Sequence, residues 1–300
     1  MNELYAADPA TCSHSSDLRL LLNSFGPYTG RYLANYPNDW SERIESGLAN
    51  FGEMEAARVR TLLRRARESI SLITRSNLPW NNEKSWIDNA LPQLDTQPAI
   101  FSGLIAQIGR PPAVHEFQGL DLPPTAEERV EGTGDEYVRT AKILLVMSPE
   151  IAFIDPYLNP LKRSYEPILR SMFASLAKGR CKRILLWARA SEAIGSRSEK
   201  VILQDIEAAL RNFSAQASFS PGGKVEMVFV QDETKNDKMH GRYLLSIKGG
   251  IRFDQGFQKL AMGRFADVGP VGKSVHDNLL SMYFDGKHDM QIVNRVSFTI

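Results

Sequence analysis

Cysteine is scarce in this sequence: Cys12 and Cys181 are the only two among 300 residues. Two thiols exclude a disulfide framework and fit a reducing cytosol. Histidine is scarce as well, five in all. Neither cysteine has another Cys or a His at ligand spacing beyond Cys12-Ser13-His14, a trio that reads as part of a frayed terminus. No metal and no cofactor is therefore expected. Long apolar runs are missing too, since residues 143–147 and 184–187 fall far below the roughly 20 needed to cross a bilayer. Residues 1–20 carry Glu3, Asp8 and Asp17 and no apolar core, which argues against a secretory signal and for a cytoplasmic protein. Nor is there an excess of charge of either sign. Lys and Arg number 36 and Asp and Glu 35, which leaves a balance of +1.

That balance conceals a division. Residues 1–135 carry 12 basic and 18 acidic side chains, and residues 136–300 carry 24 and 17. An acidic half joined to a basic half suggests two modules, with the basic one suited to a phosphate-bearing ligand. The acidic half reads as mostly helical over residues 1–110. Trp40, Ile44 and Leu48 recur every four residues behind Asp39 and Ser41 as candidate caps. From 53 to 75, Val59, Leu62, Leu63, Ile70 and Ile73 make an apolar stripe. Arg58, Arg60, Arg64, Arg65 and Arg67 occupy much of the remainder, with 60, 64 and 67 on one face, and this ridge reads first as a solvated helix face. Residues 111–135, rich in Pro, Gly and acids, read as a linker. His115-Glu116 lies there with nothing regular to hold it.

Residues 136–300 change rhythm. Helices over 136–147, 164–177 and 198–213 alternate with apolar strands over 151–154, 182–188 and 225–230, which implies parallel crossovers and an α/β sheet. A hairpin follows, with strands over 239–247 and 251–253 and Gly249-Gly250 in its turn. The tail, 291–300, alternates as a last strand. Gly272-Lys273-Ser274 resembles the end of a phosphate loop, but Asp267 stands where that loop needs its first glycine. Ser175-Leu176-Ala177-Lys178 lacks every companion motif of Ser-x-x-Lys enzymes.

Two features carry chemistry. Asp155 ends a buried strand, where open α/β sheets place their ligand crevice, and Pro156 and Tyr157 follow it. Lys238-Met239-His240-Gly241-Arg242 leads into the hairpin, and on a strand His240 and Arg242 project to one face. An imidazole beside a fixed cation suits a phosphodiester: the ring attacks phosphorus or protonates the leaving oxygen while the cation neutralises the phosphate.

This pattern resembles the phospholipase D-like superfamily, whose signature is His-x-Lys followed after four residues by Asp. It is similar in particular to the branch that ends MIT-domain proteins, through His240-Gly241-Arg242-Tyr243-Leu244-Leu245, Gly249-Gly250-Ile251 and Asp254-Gln255-Gly256-Phe257. The resemblance spans residues 136–300, with its specific part about eighteen residues long. It implies an α/β fold, a mixed sheet with flanking helices, preceded by the mostly helical module. It departs at Arg242, which replaces Lys, and at Ile247, which stands where the acid belongs. Only His240 among the histidines has a basic residue two positions on, whereas active members join two such motifs.

The resemblance implies His240 and Arg242 as the catalytic pair. Asp155, Tyr157, Lys238, Asp254 and Gln255 would bind or orient phosphate, and Lys178, Arg180, Lys182 and Arg183 would extend a nucleic-acid contact. The first expectation is a subunit that binds nucleic acid within a larger complex, such as a bacterial antiviral or DNA-processing one. The second is a metal-independent nuclease or phosphodiesterase in which a homodimer supplies two copies of His240. In a third, the N-terminal half docks a larger partner. An anionic membrane ranks below nucleic acid as the ligand.

Overall fold

Short apolar segments bounded by Gly, Pro and Asp build the first part of the chain: β1 (Glu3–Ala7), β2 (Arg31–Ala34), β3 (Leu72–Ile73), β4 (Gly103–Ala106) and β5 (Val114–Glu116). They form a five-stranded sheet in the order β3-β2-β1-β4-β5 with every pairing parallel. The structure is a computed structural model. It describes residues 3–48, 52–74, 78–95, 100–110, 112–122, 127–194, 198–219, 221–231 and 239–300. The chain divides into two units, residues 2–125 and 126–300.

The first unit is thus an α/β sheet rather than the expected helical module. Its strands are two to five residues long and mostly buried, so they show no alternation that would separate them from helix or loop. The helices expected here are present as α1 (Ser15–Asn23), α2 (Trp40–Leu48), α3 (Glu53–Glu68) and α4 (Trp86–Ala90). Helix α3 stops at Glu68, short of the expected 75, because Leu72 and Ile73 leave it to become β3. Trp40 is fully buried among Leu18, Leu33, Val59 and Ile105, and its indole N–H donates to the Ala7 carbonyl at 2.7 Å. Burying each large apolar side chain of this cluster stabilises the unit by about 1.5–3 kcal/mol.

The stretch expected as a linker is partly regular. His115 and Glu116 lie on β5, and β6 (Glu128–Glu131) pairs into the sheet of the second unit. His115 packs 5.8 Å from the Tyr5 ring, and burial lowers its imidazole pKa. In parallel sheets ligands favour the crevice where strand order reverses, here between β1 and β4. The chain's own turn fills that place: Asp8 accepts from the Ala10 amide at 3.0 Å, and Gln107 donates to the Ala10 carbonyl at 2.7 Å.

The second unit holds an eight-stranded mixed sheet. Its further strands are β7 (Glu150–Ile154), β8 (Arg183–Arg189), β9 (Lys224–Val230), β10 (Tyr243–Ser246), β11 (Gly249–Phe253), β12 (Phe265–Pro270) and β13 (Ile292–Thr299), in the order β13-β9-β8-β7-β10-β11-β12-β6. Strands β7, β8 and β9 are parallel and the other pairings antiparallel. Its helices include α5 (Gly134–Met147), α6 (Glu166–Ala177), the short α7 (Ala190–Ala193), α8 (Glu199–Ala217) and α9 (Lys273–Tyr283). Phe153 of β7 meets Phe173 of α6, which meets Phe213 of α8, so these helices cover one face. On the other face Ala152, Leu185, Trp187 and Val228 pack with Leu279 and Tyr283 of α9. With both faces covered, the open ends of the strands are where side chains can meet a ligand. The α/β class with a mixed sheet and flanking helices agrees with expectation.

Candidate functional site

Strand β7 ends at Ile154, and Asp155 follows it fully buried. One carboxylate oxygen accepts from the Tyr157 amide at 2.9 Å and the other from the Phe257 amide at 3.1 Å. The Arg242 Nε lies 3.8 Å away. Burial raises the Asp155 pKa above the ordinary Asp value, and it outweighs the opposing pull of the two amides, Arg242 and Tyr165. Burial, with Asp155 next to it, likewise pushes the Tyr165 hydroxyl upward.

Register explains the meeting of Arg242 with Asp155. In the antiparallel pair β10–β7, Tyr243 stands opposite Ile154, so the preceding residue on one strand reaches the following residue on the other. Arg242 Nη1 also donates to the Asp254 carbonyl at 2.6 Å. The guanidinium is therefore held from two sides while its side chain keeps 29% exposure. Asp254 uses its side chain within the loop, accepting from the Asp267 amide at 2.8 Å and from the Gln255 side chain at 2.9 Å.

Gly256 permits this closeness. Its φ is +68°, and a Cβ there would lie 2.1 Å from an Asp155 carboxylate oxygen and 2.8 Å from Arg242 Cδ. Gly241 has a related role, since a Cβ there would stand 2.0 Å from the Tyr243 ring.

Strand β10 begins at Tyr243, so His240 and Arg242 lie just before it and not on the pleat expected to aim them together. His240 is exposed. Tyr157 is 38% exposed, and its ring gathers two guanidinium groups, Arg242 at 5.3 Å and Arg189 at 5.7 Å. Arg189 also donates to the Met239 carbonyl at 3.1 Å, which ties the end of β8 to the segment carrying His240.

The structure thus brings together Asp155, Tyr157, Arg242 and Asp254, with Gln255 on the adjoining turn. Lys238 lies outside the described residues. Lys178, Arg180, Lys182 and Arg183 precede or begin β8, whereas Asp155 follows the end of β7. In two parallel strands those are opposite ends, so the basic cluster and the Arg242 site do not share a surface. Arg183 is also engaged there by Glu150 at 3.2 Å.

Arg189 and Tyr165 are the residues that the sequence did not point to, and Gly256 entered only as part of the resembled pattern and not for its packing. Arg189 ends β8 as Asp155 follows β7, so the strand-end rule applied to the neighbouring strand would have found it. His276 is buried with its ring nitrogen 2.8 Å from the Ser246 carbonyl, and His288 packs edge-on against Trp187. Among the described residues no three His, Cys, Asp or Glu converge as metal ligands do, and no helix is long and apolar enough to cross a membrane.

No protein-family profile matches the chain, and no curated protein does. A solved structure of TrmBL2, an archaeal chromatin protein described as showing a novel mode of DNA binding, aligns over 83% of this chain and 87% of its own. The identity is 11% and the TM-score 0.30, an overlap that carries no argument about fold or function.

Proposed function

We propose that the 126–300 unit is a phospholipase D-like domain that recognises a phosphate-bearing ligand, nucleic acid foremost, as a subunit of a larger assembly. The observation that carries this reading is the fixation of Arg242. Buried Asp155 and the Asp254 carbonyl orient its guanidinium at the open strand ends, with His240 two residues away and Arg189 across the Tyr157 ring. A planar fork held in this way is preorganised for phosphate oxygens, which Arg binds bidentately. The chain replaces the compact Lys of the resembled signature with this fork and has Ile247 where that signature places an acid. Both changes favour holding a phosphate over splitting it.

A labelled oligonucleotide titrated by fluorescence anisotropy tests the reading. A charge-assisted hydrogen bond contributes about 1.5–3 kcal/mol, so Arg242→Gln is expected to weaken binding roughly 10- to 150-fold. Unchanged affinity in that variant would overturn the assignment. The second reading is an active homodimeric phosphodiesterase, and it draws on His240 lying exposed two residues before Arg242. Incubating DNA or RNA with the protein in EDTA decides it. Cleavage that disappears in His240→Ala selects the enzyme, and intact strands select the binding domain.

A further inference from the structure

Helix α3 of the first unit carries five arginines in sixteen residues: Arg58, Arg60, Arg64, Arg65 and Arg67, all exposed. Its inner face is set by Ala56, Val59, Leu63 and Ala66, which are buried. At 3.6 residues per turn, Arg60, Arg64 and Arg67 then run down one flank within an arc of roughly 60°. Arg58 pairs with Glu55 and Arg60 with Glu45. The guanidinium groups of Arg64, Arg65 and Arg67 meet no carboxylate among the described residues. A shallow open depression of about 340 Å³ lies between Arg60 and Arg64, floored by Ala57 and Thr61.

Three considerations separate this ridge from an ordinary solvated face. The unit is acidic overall, since residues 2–125 hold eleven Lys and Arg against fourteen Asp and Glu, and the basic charge is gathered on one helix. Like charges at i and i+4, as at Arg60 and Arg64, work against an isolated helix, and the helix dipole offsets this only for Arg65 and Arg67 in the last turn. Solvation alone is served equally by lysine, yet Lys84 is the only lysine of the unit. Arginine is the side chain whose fork matches phosphate geometry. Arg60 and Arg64 are separated by about 6 Å along the helix axis, a spacing that lets neighbouring guanidiniums meet neighbouring phosphates of one strand.

From these observations we propose that the Arg60–Arg64–Arg67 flank of α3 is a nucleic-acid backbone contact, so that the first unit binds the polyanion in its own right. The contact is independent of the Arg242 site in the other unit and reads charge rather than sequence.

The test uses the full chain and a fluorescein-labelled 30-base-pair DNA, titrated from 50 to 200 mM salt. Arg64→Gln combined with Arg67→Gln removes two charges that meet no carboxylate among the described residues and keeps good helix formers, so far-UV circular dichroism and the thermal midpoint should match the parent. At about 0.9 per phosphate, the slope of log affinity against log salt should become shallower by about 1.8. An unchanged slope overturns the ridge contact, and Arg242→Gln measured beside it shows whether the other site still binds. Absence of DNA binding by the parent at 50 mM salt overturns the nucleic-acid occupant. So does loss of poly-glutamate binding in the double variant while DNA binding stays intact.

Discussion

Replacing Gly256 by alanine places a methyl group 2.1 Å from an Asp155 oxygen that is already tied to the Phe257 amide. Two costs add. A non-glycine residue at φ +68° loses about 1–2 kcal/mol to left-handed sterics. The carboxylate must also swing away from its donors, and a hydrogen bond to a charged group contributes about 1.5–3 kcal/mol. The expected destabilisation of the 126–300 unit is about 2.5–5 kcal/mol. Native-state hydrogen exchange on peptides from β7 and β8 reads that unit separately from the first. In an Asp155→Ala background the clash with the carboxylate disappears, leaving the backbone cost of about 1–2 kcal/mol and the contact with Arg242 Cδ, so the coupling is roughly 2 kcal/mol. If Gly256→Ala costs the same in both backgrounds, or less than about 1 kcal/mol in the parent, the packing of Gly256 on Asp155 does not hold the site together.

Further outcomes follow from burial and charge. Because burial raises the Asp155 pKa, the folded state binds its proton more tightly than the unfolded one. Stability from this group is full below the ordinary Asp value of 3.8 and is lost as pH rises through the raised folded value. Asp155→Asn should remove that component, so urea midpoints of parent and variant should diverge across the window; parallel profiles would refute it. Glu226 behaves oppositely. Lys224 at 3.1 Å and Arg295 overcome its burial and lower its pKa, so its contribution is present at neutral pH and fades as pH falls below the ordinary carboxylate range. Urea midpoints of Glu226→Gln should therefore fall less than the parent's on acidification. Burial pushes the thiols of Cys12 to about 12 and Cys181 to about 11, so neither should label with a thiol reagent at neutral pH until the chain is denatured.

Helical periodicity made α5, α6 and α8 legible and unbroken apolar runs did so for β7, β8 and β9, which is why all six appear close to their expected positions. The first unit was not, because strands such as Leu72–Ile73 and Gly103–Ala106 are too short and too evenly buried to display a period. Gly269 and Pro270 hide β12 behind residues that ordinarily punctuate strands. At the site, Asp155 was legible from its place at a strand end and Arg242 from its residue type two positions after His240. Asp254 was expected to bind or orient phosphate, and it holds Arg242 through its main-chain carbonyl, a contact that residue type does not reveal. The distance between the Lys178–Arg183 cluster and Asp155 follows from parallel pairing, which collects every strand start at one edge and every strand end at the other.

Arg242, held by Asp155 and the Asp254 carbonyl, is proposed to face a phosphate. The salt dependence of oligonucleotide binding by the full chain, parent against Arg242→Gln, addresses it most directly. The log–log slope on duplex DNA should be shallower by about 0.9 in the variant, one phosphate contact removed. Identical slopes for the two proteins would contradict it.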